Sequence, residues 1–186
     1  MTPPGKRIVY LALLRGVNVG GKRSLPMKEL ARLCSDLGCG DVQTVIQSGN
    51  LVFTAGKDLG GSFAARLATE LGSNFGMEVP VVVRTLPEWK KVALGNPFLE
   101  RGADPATLHI AFLADRPSKR RVDALDSGRS PPDEFEVRGK EIYLRCPNGL
   151  ARTKLDTRYF DGALATTSTF RNWRTVLRLH EIAKGA

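Results

Sequence analysis

The stretch that decides the fold class is "VQTVIQSGNLVFTA", Val42–Ala55. Two short runs rich in β-branched residues flank the turn-forming "QSG", Gln47–Gly49, which is the pattern of a β-hairpin. A hairpin joins antiparallel strands, whereas a parallel sheet alternates its strands with helices. The sequence therefore predicts that the alternation is interrupted here.

The elements around this hairpin complete a six-element unit. On its N-terminal side, the apolar run Arg7–Leu14 predicts a buried strand, and a helix follows between Pro26 and Gly38. On its C-terminal side, residues 62–75 have helical spacing and "VPVVVRT", Val79–Thr85, predicts a strand. The order is β-α-β-β-α-β.

The second half repeats this order. The elements predicted there are a strand at 107–114, a helix at 117–126, a hairpin across Gly139-Lys140, a helix at about 152–161, a last strand at 164–169 and a closing helix from about Phe170 to Lys184. A split β-α-β unit is ferredoxin-like. The predicted fold is therefore α+β, with two tandem ferredoxin-like halves and a C-terminal helix.

The predicted domain boundaries follow from these elements. Residues 1–85 form the first half, residues 86–106 a connector broken at Asn96-Pro97, and residues 107–186 the second half with the closing helix. No residue-level repeat accompanies the duplication, so it is inferred from element order alone.

The apolar runs and the N-terminal pattern predict a cytoplasmic protein. No apolar run approaches the ~18 residues of a membrane span, and the N-terminus lacks the pattern of a signal peptide. The three cysteines are an odd count without metal-ligand spacing, which predicts reduced thiols. We expect no metal, no cofactor and no membrane association.

The net charge of +9 is confined to two stretches. Residues 15–32 hold five basic residues and one acid, and residues 145–178 hold seven basic residues and two acids, which together account for the excess. Confined basic charge favours an anion site. Two unrelated solvated faces are the alternative.

The first basic stretch contains "RGVNVGGKRS", Arg15–Ser24. Gly16, Gly21 and Lys22 fit the spacing of a P-loop, but Arg23 stands where Ser or Thr would bind Mg²⁺. A P-loop also needs a parallel sheet and a helix that opens at this Lys, and neither is predicted.

We expect a different anion site in this loop. Gly16, Gly20 and Gly21 allow backbone N–H groups to turn inward, and Arg15, Lys22 and Arg23 supply charge. A flexible loop that only connects strand to helix is the alternative.

Three further stretches are candidates for ligand contact. Gln47, Ser48 and Asn50 surround a glycine with neutral hydrogen-bonding groups, although a plain turn uses the same residues. The first and third strands run antiparallel, so we expect that this turn need not meet the first loop. The other two candidates are Arg152 and Lys154 in "PNGLARTKLD", Pro147–Asp156, and a face of the closing helix with Arg171, Arg174 and Arg178.

Known catalytic sets are missing from the sequence. His109 and His180 both lie among apolar residues, and neither G-x-S-x-G nor H-E-x-x-H occurs. Catalysis would have to rest on positioning and positive charge, so the sequence leaves open whether the protein is an enzyme.

The ordered set "LLRGVNVGGKRSLPMKEL", "VIQSGNLVF", "VPVVVRT", "NPF", "LHIAFL", "IYLRCPNGLARTKL" and "RNWRTV" resembles the bacterial family called domain of unknown function 1697. The resemblance covers nearly the entire chain. It implies an α+β fold with two ferredoxin-like halves and no established activity. By motif position it implicates Arg15, Asn18, Gly20, Gly21, Lys22, Gln47, Ser48, Asn50, Asn148, Lys154, Arg171, Asn172 and Trp173.

Three functions remain open from the sequence. The first is a binding module for a phosphate-bearing ligand, either a nucleotide or a nucleic acid. The second is a small metal-independent hydrolase or transferase for phosphate or acyl-phosphate groups, by a fold-level analogy with acylphosphatase. The third is a protein–protein adaptor whose basic faces meet an acidic partner. The oligomeric state is not predicted.

Overall fold

The first sheet joins four strands of the N-terminal half. The computed structural model describes residues 7–19 and 24–186. The elements are β1 (Ile8–Leu14), α1 (Met27–Asp36), β2 (Gly40–Val45), β3 (Asn50–Ala55), α2 (Lys57–Phe75), β4 (Val81–Thr85) and α3 (Leu86–Leu94). The strand order is β2-β3-β1-β4, and every pair of neighbours is antiparallel.

The second sheet has the corresponding order. The elements are α4 (Pro97–Glu100), a 3₁₀ turn (Pro105–Thr107), β5 (Leu108–Leu113), α5 (Lys119–Asp123), β6 (Glu134–Arg138), β7 (Glu141–Arg145), a 3₁₀ turn (Leu150–Arg152), α6 (Thr157–Leu164), β8 (Ser168–Asn172) and α7 (Trp173–Lys184). Its strand order is β6-β7-β5-β8, again antiparallel. The predicted α+β class is confirmed.

Aromatic residues form the centre of the first core. Alternation along β1 places Tyr10, Ala12 and Leu14 on the face that is covered by α1 and α2. Tyr10 stacks on Phe53 with ring centroids 5.6 Å apart, and Phe53 meets Phe63 of α2 at 4.3 Å. This row of rings fixes α2 against the sheet.

The second core is built in the same way, around Phe160, whose ring contacts those of Phe135 and Phe170. Ala111 and Leu113 of β5 pack with Leu144 of β7 and with Phe160 and Leu164 of α6. Asp156 begins α6 by accepting a hydrogen bond from the Tyr159 N–H at 2.8 Å, a side-chain cap on the first turn.

Several predicted boundaries are wrong. α2 begins at Lys57, five positions before the predicted start, and α5 is limited to Lys119–Asp123. The last strand lies at Ser168–Asn172 and not at 164–169, because α6 continues to Leu164.

The closing helix begins at Trp173 and not at about Phe170. Asn172 sets this start, because its Oδ1 accepts the Thr175 N–H at 2.8 Å. Arg171 pairs in register with Ile110 of β5 and is therefore a strand residue. The predicted helical face of Arg171, Arg174 and Arg178 is consequently wrong with respect to Arg171.

The chain divides into two compact units. One is Met1–Lys90 together with Leu179–Ala186, and the other is Lys91–Arg178. Residues 86–106, predicted as a connector, contain α3, α4 and a 3₁₀ turn, and a unit boundary lies within α3. None of the helices in the described parts of the chain is long and apolar enough to cross a membrane.

Candidate functional site

The loop after β1 and the turn before β3 meet at one edge of the first sheet. Leu13 pairs in register with Asn50, and the Leu14 N–H donates to the Gly49 carbonyl at 2.8 Å. Antiparallel pairing places the end of one strand beside the start of its neighbour. The expectation that the turn need not meet the first loop is therefore wrong. We call residues 15–25 and 46–49 together the composite loop.

Asn18 holds the composite loop together through three hydrogen bonds. Its Nδ2 donates to the Leu25 carbonyl at 2.9 Å and to the Gln47 carbonyl at 2.7 Å, while its Oδ1 accepts the Leu25 N–H at 2.8 Å. The backbone of Asn18 has φ 55°, in the left-handed region that asparagine tolerates well. The amide thus joins residues 18 and 25 across the base of the basic segment.

The tip of that segment lies outside the described residues. Gly20, Gly21, Lys22 and Arg23 belong to it, so their predicted roles stay predictions. The helix after the loop is described: Pro26 precedes its first residue, Met27, as predicted. A P-loop opens its helix at the lysine itself, within a parallel sheet, and the first sheet here is antiparallel.

The hairpin turn is braced from inside. Asn50 is fully buried, and its Nδ2 donates to the Val45 carbonyl at 2.9 Å and to the Ser48 hydroxyl at 3.0 Å. Ile46 has φ 60°, a strained conformation for a β-branched residue, and its side chain is 44% exposed. The structure therefore gives Asn50 a positioning role and presents Ile46 at the surface. Strain of this kind concentrates at functional sites.

Arg15 stands at the other side of the loop. Its backbone N–H donates to the Pro80 carbonyl at 3.0 Å, and its half-buried side chain lines a cavity of about 560 Å³ with Thr69 of α2 and Glu78. Val19, beside Asn18, is 66% exposed. The composite loop therefore combines a cation with exposed apolar side chains.

The second predicted basic loop lies at a different position in its own sheet. Asn148 and Lys154 are exposed in the segment after β7. The Cys146 N–H donates to Thr107, just before the first strand of that half, so this segment leaves the sheet at the start of β5. The composite loop leaves its sheet at the end of β1. The two loops are therefore not equivalent in the duplicated arrangement.

Arg171 and Asn172 are placed by the end of β8. The half-buried Arg171 donates from Nη1 to the Thr169 hydroxyl at 3.0 Å and to the Phe170 carbonyl at 2.7 Å. Burial lowers the pKa of Arg171 to about 10, so its guanidinium stays charged at neutral pH. Asn172 caps α7 with Oδ1, as described above. Arg171 is thus a bracing residue of the strand end.

The same arrangement occurs in the first half, which sequence inspection missed. Arg84 is 2% exposed, pairs in register with Leu11 and donates from Nη1 to the preceding carbonyl, Val83, at 2.9 Å. Thr85 then exchanges hydrogen bonds with Glu88, forming a capping box that begins α3. The available signal was a lone arginine at the end of the apolar run "VVVRT".

The thiols offer no nucleophile at neutral pH. Cys34, Cys39 and Cys146 are free and buried. Burial raises the pKa of Cys34 to about 12 and those of Cys39 and Cys146 to about 11, so all remain protonated. Within residues 7–19 and 24–186, no three His, Cys, Asp or Glu side chains cluster as a metal site requires.

These features define the class of protein: an α+β chain with two four-stranded antiparallel sheets and a braced, glycine-rich loop at one sheet edge. The chain belongs to the family described as "Protein of unknown function (DUF1697)", which matches residues 8–143.

A solved structure has a similar fold. It is that of the conserved bacterial protein SP0830 from Streptococcus pneumoniae, at 21% identity and a TM-score of 0.74. The similarity covers 96% of this chain and 99% of that one. At this identity it shows the fold alone. No curated protein matches the chain.

Proposed function

We propose that this protein is a binding module for a phosphate-bearing ligand, a nucleotide or a nucleic acid, and that the composite loop is its primary site. The observation that carries the proposal is the Asn18 clamp. Its amide joins residues 18 and 25 across the base of the segment that contains Lys22 and Arg23. A loop whose ends are fixed loses less conformational entropy when it binds a ligand.

The charge and the composition of the loop favour an anion. Between Arg15 and Ser24 the sequence has three basic residues and no acid. Arginine can bind two phosphate oxygens at once, and glycines allow backbone N–H groups to face an anion. The exposed Val19 and Ile46 would contact an apolar part of the ligand, such as a nucleotide base.

The proposal also includes the fold of each half and the cellular location of the protein. We infer that each half is ferredoxin-like, because each has the element order β-α-β-β-α-β and the strand order 2-3-1-4 within its own sheet. The protein then acts in the bacterial cytoplasm, where nucleotides and RNA are available as ligands.

The first experiment measures phosphate binding without metal. Isothermal titration with inorganic phosphate, pyrophosphate and nucleotides is carried out in EDTA. We expect binding to persist, because the ligand's charge is met by Arg15, Lys22 and Arg23. Lys22→Ala should weaken binding by about 1–3 kcal/mol, the cost of a lost hydrogen bond to a charged group. Arg120→Ala removes an equal charge at an exposed position of α5 and serves as the control.

Two results would contradict this prediction. One is binding that requires Mg²⁺. The other is Mg²⁺-dependent ATP hydrolysis by Arg23→Ser, which restores the missing P-loop residue. We expect no such gain, because α1 begins only at Met27. Turnover of acyl phosphates or phosphate esters by the wild type would instead favour the hydrolase or transferase alternative. Loss of all anion binding together with capture of an acidic protein would favour the adaptor.

The second experiment tests nucleic acid as the ligand. Affinity for a single-stranded oligonucleotide should fall with salt, with a slope of about −0.7 per phosphate contacted. Arg171 is unsuited to mutation here because it braces β8. The double variant Arg174→Ala/Arg178→Ala changes exposed residues of α7 and should flatten the slope if that face contacts phosphates. An unchanged slope would remove this face from the interface, and no binding at low salt would exclude nucleic acid.

A further inference from the structure

A cavity of about 670 Å³ lies at the edge of the second sheet, where β8 ends and α7 begins. Its apolar lining includes Leu108, Trp173 and Leu177, and its polar lining includes Asp104, His109, Asn172 and Arg174. All of these residues belong to the unit Lys91–Arg178. A volume of this order suits a small molecule, and a mostly apolar lining with a few polar groups is typical of ligand sites.

His109 is the unusual member of this lining. It is 9% exposed, and its buried Nδ1 has no hydrogen-bond partner among residues 7–19 and 24–186. Leaving such a buried group unpaired is unfavourable, so the structure contains an unmet acceptor or donor beside the cavity. Burial lowers the pKa of His109, and a hydrogen bond with the backbone of Thr107 partly opposes this effect. The lowered pKa favours the neutral imidazole ring, in which one nitrogen can accept a hydrogen bond.

In the first half of the chain, Tyr10 occupies the position that corresponds to His109, and its side chain is closely packed. Tyr10 faces Thr85 across β1 and β4 as His109 faces Asn172 across β5 and β8. The ring of Tyr10 lies directly on Gly60 of α2 and is stacked on Phe53. The second half thus has an imidazole with an unpaired nitrogen where the first has a packed phenol.

The charges around the cavity favour an anion. Arg174 lies on the first turn of α7, where the helix dipole adds positive potential, and Asn172 caps only one of the helix's free N–H groups. Asp104 opposes this charge, but its Oδ1 already accepts the Ala106 N–H at 2.9 Å and caps a 3₁₀ turn.

We propose that this cavity binds a small aromatic anion. Arg174 and the start of α7 hold its carboxylate or phosphate group. Its ring packs on Trp173 and Leu177, and a hydrogen-bond donor on the ring reaches His109. The cavity shares no residue with the composite loop, so this proposal and the proposed function are tested by different variants.

The test uses 4-hydroxybenzoate as the probe, followed in ¹H–¹⁵N spectra of the full chain with labelled histidine and tryptophan. Saturable shifts of the His109 and Trp173 signals are expected. Benzoate, which lacks the donor, should bind about fivefold more weakly. Phenyl phosphate and benzoate, which both lack the donor, show at equal concentration whether phosphate or carboxylate is preferred. The neutral 4-hydroxybenzamide and the cationic 4-hydroxybenzylamine test the charge.

Matched variants test the residues. Arg174→Met should weaken 4-hydroxybenzoate binding about tenfold or more, whereas Arg178→Met, also exposed on α7 but outside the cavity lining, should change it less than about twofold. Asp104→Asn keeps the cap and should tighten anion binding. The proposal is overturned if no probe shifts the His109 and Trp173 signals, if the benzamide or benzylamine binds as tightly as the anion, or if the two arginine variants behave alike.

Discussion

Replacing Gly49 by alanine should cost about 3 kcal/mol of unfolding free energy, as the sum of two penalties. Gly49 has φ 72°, a backbone conformation that costs an L-residue about 1–2 kcal/mol. The added Cβ would lie 2.5 Å from Val17 Cγ2 and 2.7 Å from Leu14 Cβ, both on buried residues. Relieving such an overlap costs about 1–3 kcal/mol more. Denaturant unfolding measures the total.

Gly76→Ala is the matched control. Gly76 also has a positive φ, 62°, but a Cβ there would meet nothing within 4 Å. The Gly76→Ala variant should therefore lose about 1–2 kcal/mol of unfolding free energy, from backbone strain alone. Equal losses in the two variants would show that the composite loop tolerates displacement and would contradict the close packing of turn and loop.

The same substitution bears on function. Gly49 lies where the turn meets Leu14 and Val17, so its displacement moves the Gln47 carbonyl that accepts from Asn18. Under the proposed function, Gly49→Ala should therefore weaken phosphate binding in protein that is still folded, whereas Gly76→Ala should not. A phosphate affinity unaffected by Gly49→Ala would separate the turn from the site.

Gly60→Ala should be the second severe substitution, with a loss of about 3 kcal/mol from overpacking and a disturbed ring stack. A Cβ at Gly60 would overlap Cζ and Oη of Tyr10 and lie 2.6 Å from its Cε1. Tyr10 has little room to retreat, because Phe53 lies behind it and Phe63 behind Phe53. Helix propensity alone would make Gly60→Ala stabilising, because alanine is the better helix residue. We expect the opposite change in the free energy of unfolding.

Gly61→Ala provides the contrast on the same helix. It is exposed, and a Cβ there would meet nothing within 4 Å, so the variant should gain about 0.5–1 kcal/mol. A double-mutant cycle with Tyr10→Leu locates the cause of the Gly60 effect. If the ring is responsible, the double variant should be less destabilised than the sum of its singles. Strict additivity would place the cause elsewhere.

The sequence by itself determined the α+β class and the kinds of elements, because these depend on local patterns. The period of apolar residues distinguishes the helices from the strands, and "QSG" between two β-type runs places the first hairpin. Pro26 before Met27 likewise indicated the start of α1, because a helix tolerates proline, which lacks an N–H, only at its beginning. The motifs also identified the family.

Only the tertiary structure decided which of the candidate residues meet. Strand pairing placed the Gln47 turn beside Asn18, although 29 positions separate them along the chain. Pairing with β5 also made Arg171 a strand residue, where its helical spacing with Arg174 and Arg178 had suggested a helix. Both outcomes depend on hydrogen bonds between residues far apart in sequence, and local propensity carries no information about such partners.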